Sequence, residues 1–251
     1  MALAHNVMIR YLNSIYLQAT GITDPKDVAD FLFYCQSWHG IIHEHHAGEE
    51  KVLFPRLNAL MGKDVMEDAV EEHKAFGAGV EEFHSYVSNT KPEEYDGTKV
   101  RSLIDSFAPA LLKHLQAEIK KLIDVGETLG GDKFQVLFDE FETELVKESR
   151  KEWDPVSFDS IVLGLCTNYS VKHVVVPAGF GAVDRTYENG LHASWPPFPW
   201  FVPLMSKWIF SRKYSGSWRF SPCYNFKRKE LRYVGDDYEQ AVAMAVKLLQ
   251  V

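Results

Sequence analysis

Apolar residues recur at helical spacing through most of the first 150 positions, in stripes that about 100° of rotation per residue brings to one face. The first stripe joins His5, Met8, Ile9, Leu12, Ile15, Tyr16 and Ala19 and stops at Gly21. The run TDPKD then predicts a cap at Thr23 or Asp24 ahead of Pro25. The helix it opens is expected to run toward Leu60, bent or interrupted late by Pro55. A third helix is predicted from Val65 to about Val87 and a fourth from about Thr98 to Val125, ended by GETLGGD. A fifth amphipathic stretch covers Lys133 to about Arg150, and Asp236 to Gln250 reads as a terminal helix. Strand-like alternation is scarce. The predicted fold class is all-α: an up-down four-helix bundle with additional helices. The predicted organisation is a bundle plus fifth helix over 1–150, and an irregular, aromatic-rich C-terminal extension over 151–251 packed on it.

Helical phase sorts the polar residues of these stripes. With His45 at 0°, Trp38, Ile42, Val52, Leu53 and Leu60 fall between about −20° and 80°, and Glu49 lies among them at about 40°. His46 and Glu50 sit on the edge, and His43 faces away. His39, His43 and His46 therefore read as solvated or outlying residues. His73 shares its face with Met66, Ala69, Val70, Phe76, Val80 and Phe83, and His84 lies three turns on in that stripe. His114 and Glu118 flank the apolar face of Ile104, Phe107, Leu111, Leu122 and Val125. Lone histidines on apolar faces are usually hydrogen-bonded core residues. Glutamates facing a core are another matter, because an unpaired buried carboxylate is costly. Lys and Arg are nearly missing from these stripes.

Four inward histidines and two inward glutamates on four helices predict a buried two-metal site with ligands His5, His45, Glu49, His73, His114 and Glu118. His46, Gly77, His84 and Trp38 are the candidates for a surrounding layer or pocket. Shared glutamates and about two imidazoles per ion suit octahedral iron or manganese with positions left open, more than the closed set of structural zinc.

Composition narrows the context. The 251 residues are 46% hydrophobic and 25% charged with net charge −8, which argues against a general nucleic-acid binder. Residues 1–150 hold 15 Lys and Arg against 26 Asp and Glu; the remainder has 12 against 9. Cys35, Cys166 and Cys223 are odd in number and widely spaced, so a disulfide framework is not expected. With no apolar run of membrane-spanning length and no leader-like N-terminus, the expected location is cytoplasmic.

The segments AHNVMIRYLNSIYLQ, HHAGEEKVLFPRL, EEHKAF and LLKHLQAEI resemble the four helices of hemerythrin-like, HHE cation-binding domains, over about residues 1–128. GLHASWPPFPW and SWRFSPC look like the tail of a fungal subgroup of that family. The resemblance implies a centre of two iron ions, with manganese as the alternative and a bridging oxo or hydroxo group. It implies dioxygen as a ligand and the same six metal-binding residues. Two departures from the respiratory pattern stand out: Gly77 occupies the place of a second histidine one turn after His73, and Glu118 follows His114 by four residues where an aspartate follows by five. These departures favour redox chemistry on a small organic molecule over reversible oxygen carriage. The alternative is an iron- or oxygen-binding sensor or storage module. Oligomeric state is left open.

Residues 195–233 hold four of the six tryptophans, eight Lys or Arg and one acid, Glu230. Their aromatics are expected to extend the bundle core, with a pocket cover near the metals and an interfacial membrane or partner surface as rivals. The PAGFG segment reads as a turn.

Overall fold

The computed structural model describes residues 1–151, 179–196, 200–205, 208, 212 and 214–249. Cys166, the first residues of the PAGFG turn and parts of the Pro- and Trp-rich run lie outside them. The helices are α1 (Ala2–Gln18), α2 (Pro25–Gly48), α3 (Phe54–Met61), α4 (Glu67–Asn89), α5 (Gly97–Leu129), α6 (Gly131–Lys151) and α7 (Tyr238–Leu249). Among the described residues, β structure is confined to a hairpin that pairs Cys223–Tyr224 with Lys227–Arg228. Its turn residues Asn225 and Phe226 both have positive φ, as a tight two-residue hairpin turn requires. The chain is all-α, and α1, α2, α4 and α5 close a four-helix bundle in which each packs on two others.

Local chemistry sets the helix ends. Asp24 caps α2, its carboxylate accepting from the Lys26 and Asp27 amides at 2.8 and 3.4 Å, with Pro25 in the first turn. Asp96 does the same for α5, accepting from Thr98 and Lys99 at 2.8 and 3.2 Å. α5 runs to Leu129, beyond the break expected after Val125, and stops at Gly130 with φ 86°.

The expected long second helix is divided by a π turn, Glu49–Leu53, where the Phe54 amide donates to the Glu49 carbonyl. One extra residue in the turn rotates everything after it. Phe54, which a straight helix would aim away from His45, is 2% exposed, and Leu57 is fully buried. Leu60, expected on the inward stripe, is 52% exposed. The straight-helix phase holds through Leu53, which is fully buried as expected, and fails at Leu60.

The interior consists of two apolar clusters. One surrounds Trp38 with Tyr11, Ile15, Phe31, Tyr34, Phe83 and Phe107. The other gathers Leu53, Phe54, Leu57, Met66, Ala69, Leu122 and Val125, and is closed by Leu137 and Phe141 of α6. On α4 and α5, and from α2 into the π turn, the first cluster gives way to the second across the same level. That level holds His5, the His45–Glu49 segment, His73, and His114 with Glu118. One buried polar layer thus lies between two apolar ones.

The described part of the C-terminal segment packs on the bundle. Phe220 is fully buried and meets Phe31 edge-on at 5.1 Å. Gln18 Nε2 donates to the Phe220 carbonyl at 2.8 Å, and Arg219 reaches Asp27 and Asp30 at 2.8 Å each. Trp200 and Trp208 instead are 80% and 58% exposed. Among the described residues no helix is long and apolar enough to cross a membrane.

Candidate metal centre

The polar layer contains two groups of four side chains whose donor atoms lie within 4.8 Å of one another. The first is His5, His45, Glu49 and Glu118. The second is His46, Glu49, His73 and His114. Glu49 belongs to both: its Oε1 is 2.9 Å from His45 Nε2, and its Oε2 is 3.7 Å from His73 Nε2. One carboxylate oxygen therefore faces each group. Glu118 enters the first group alone, its Oε2 3.2 Å from His5 Nε2.

Groups outside the layer fix the imidazoles. His5 Nδ1 donates to the Leu115 carbonyl at 3.0 Å. His73 Nδ1 meets Glu50 Oε1 at 2.7 Å, and His114 Nδ1 meets Glu72 Oε2 at 3.0 Å. With Nδ1 protonated in each, Nε2 presents a lone pair to the centre, the arrangement that outer carboxylates and carbonyls impose on metal-binding histidines. The Nε2 atoms of His73 and His114 then face each other across 3.0 Å.

Burial sets the protonation states. It pulls His45 and His114 down to about 4; the His73 charge adds to it at His114. Burial also lowers His46 strongly, with the neighbouring His45 contributing. Glu49 is pushed well above the usual carboxylate range by burial and by the charge of Glu118. Burial pushes Glu118 up as well, but the contact with His5 and the charges of His5, His45 and His114 outweigh it and hold Glu118 below that range.

This layer fits cations better than it fits itself. All four carboxylate oxygens of Glu49 and Glu118 are buried without an aligned hydrogen-bond partner, as is His46 Nε2. Among the described residues the ion pairs of both glutamates are with histidines, not with Lys or Arg. Neutral imidazole nitrogens and unpaired carboxylates converging in a dry layer form a donor set for divalent transition metals.

All six residues expected as ligands come together here, and His46 joins them. On a straight helix His46 lies about 60° from Glu49, so its nearness to the inward arc was a signal. The outer partners Glu50 and Glu72 also went unread as such, although each adjoins an inward residue in sequence. The other expected companions separate. Trp38 is a core residue whose Nε1 donates to the Met8 carbonyl at 3.1 Å, stacked on Phe107. His84 leaves the layer and stacks on His39 with ring centroids 3.8 Å apart. A Cβ built at Gly77 would meet no atom within 4 Å, so the space one turn from His73 is open.

A family model described as the hemerythrin HHE cation binding domain matches residues 1–125. The chain is similar to the dimeric xanthone biosynthesis cluster protein R11 of Cryptosporiopsis sp. (strain 8999), at 36% identity over 224 residues, which cover 89% of this chain and 77% of that relative. No solved structure matches.

Proposed function

This chain belongs to the hemerythrin HHE cation-binding family, and we propose that it is a non-haem di-iron protein that binds dioxygen or a reduced oxygen species for redox chemistry on a small organic molecule. One observation carries the two-ion reading: Glu49 is shared by two four-residue donor groups, with one oxygen toward each. One ion would be held by His5, His45, Glu49 and Glu118, the other by His46, His73, His114 and Glu49. Two adjacent iron ions supply two electrons for chemistry with dioxygen. Where the respiratory pattern draws an imidazole from position 77, His46 of α2 brings the second group a third one. In the proposed set the nitrogen that Gly77 does not supply is replaced, not lost.

The chain's own residues orient and insulate the site. Leu115, Glu50 and Glu72 hold three imidazoles with Nε2 inward. The apolar layers above and below exclude bulk water, which strengthens each electrostatic contact inside. Glu49, whose carboxyl is biased toward the protonated form, is the group best placed to hold a proton when no cation is bound.

Similarity to a xanthone biosynthesis cluster protein supports a small aromatic metabolite as substrate and a role in secondary metabolism. A non-catalytic reading, storage or sensing of iron or oxygen, is favoured by the almost complete withdrawal of Glu49, His114 and Glu118 from solvent. Oxygen-electrode measurements separate the two. Oxygen uptake that scales with an added xanthone-type aromatic supports the oxidoreductase. Uptake that stops after one equivalent per centre, whatever aromatic is added, supports sensing or storage.

A further inference from the structure

We propose that His39 and His43 of α2, together with Glu81 of α4, form a separate surface site for a zinc-type divalent transition-metal cation. It is independent of the buried layer, none of whose residues it uses, and it would pin α2 to α4.

His39 and His43 are one helical turn apart, the spacing at which two imidazoles on one helix edge can grip a single ion. Glu81 reaches them from the neighbouring helix. The donor atoms of the three residues lie within 4.8 Å of one another. His39 Nε2 is already 3.0 Å from Glu81 Oε1. Donors on a tetrahedral zinc ion sit about 3.3 Å apart, given metal–nitrogen bonds of about 2.0–2.1 Å. The remaining gap is within reach of a rotation of the exposed His43 ring.

The surroundings favour a cation over an ordinary His–Glu pair. His84 lies flat on His39, with centroids 3.8 Å apart and ring planes within 5°, and the His43 ring lies 5.7 Å from His39 with its plane tilted by 22°. Three imidazoles thus crowd around one carboxylate. The stacking also fixes the plane of His39, so less freedom is lost on binding. Two nitrogens and one oxygen suit zinc or its neighbours in the transition series and not magnesium or calcium, which take oxygen sets. Glu81 and His43 are exposed, so the site is open to solvent and water completes the coordination.

The test is calorimetric titration of zinc chloride into the full chain, its His39→Ala/His43→Ala variant, and a His114→Ala/Glu118→Ala variant. Wild type should bind one more zinc equivalent than the surface double variant. The buried-layer variant should keep that equivalent, which makes the result independent of the proposed di-iron reading. Glu81→Gln should weaken it at least tenfold. Excess zinc should raise the wild-type Tm by about 5 °C and leave the surface double variant without this increment. Equal zinc stoichiometry in wild type and the surface double variant would overturn the proposal.

Discussion

The Nε2 atoms of His5 and His45 face each other across 3.2 Å, in rings set at 90°. His5 Nδ1 donates to the Leu115 carbonyl, which turns Nε2 toward its neighbour. The layer thus gathers converging imidazole nitrogens and buried carboxylates that a cation would satisfy.

The pH dependence of stability follows from that layer. Burial brings His45 and His114 to about 4 against an ordinary imidazole value of 6.5. As pH falls below 6.5 the unfolded chain takes up protons that the folded histidines refuse. Their share of stability is lost between about 6.5 and 4. Glu49 runs the other way: its carboxyl is raised, so its share is present at low pH and lost as pH rises through the folded value. A bound cation displaces that proton. The Tm difference between metal-loaded and metal-free protein should widen from pH 4 to pH 7. Thermal melts of both forms across this range check it, and a difference that is flat or shrinks contradicts it.

His46 should behave as a ligand. His46→Ala is expected to lower the bound metal from about two equivalents to about one, because it removes one of three imidazoles from its group. Since a side chain at Gly77 meets open space, Gly77→His in the His46→Ala background should restore the second equivalent. Metal analysis of the three proteins decides; full metal content in His46→Ala would remove His46 from the set.

Trp38 acts through its packing and its hydrogen bond to the Met8 carbonyl. Trp38→Ala should cost about 3–5 kcal/mol, the range for emptying a buried aromatic site. Metal per folded chain should stay at the wild-type value. A selective loss of metal with stability intact would instead tie Trp38 to the centre.

The terminal helix is fastened from the bundle. Arg101, buried on α5, donates through Nε to the Tyr16 carbonyl at 2.8 Å and through Nη1 to Asp237 beside α7. Arg101→Leu should destabilise by about 1.5–3 kcal/mol, the range for hydrogen bonds to charged groups. It should also speed proteolytic cleavage ahead of α7 while leaving metal content unchanged. Limited proteolysis with mass spectrometry reads both fragments and rate.

Much of this architecture was legible in the chain because amphipathic stripes are long and uninterrupted on α1, α4 and α5. His5, His73, His114 and Glu118 lie where straight-helix phase puts them. The second helix was only half legible. A π turn depends on hydrogen bonds that no residue pattern announces, so Leu60 was expected inward and lies exposed. His46 was set aside for a related reason: at the edge of a stripe, a few tens of degrees decide between ligand and bystander. His84 shares the phase of His73 yet leaves the layer, because three turns further along the bundle its neighbour is His39 and no longer the centre. The aromatic tail offered no period at all. Contacts such as Phe220 with Phe31 depend on chain return across 189 positions.

The most direct test is iron and manganese analysis of protein purified without added metal, beside Glu49→Ala. The account predicts about two iron ions per wild-type chain and loss of both in the variant, since Glu49 serves both donor groups. Metal-free wild-type protein that cannot be loaded with iron, or a Glu49→Ala variant that keeps two ions, would contradict it.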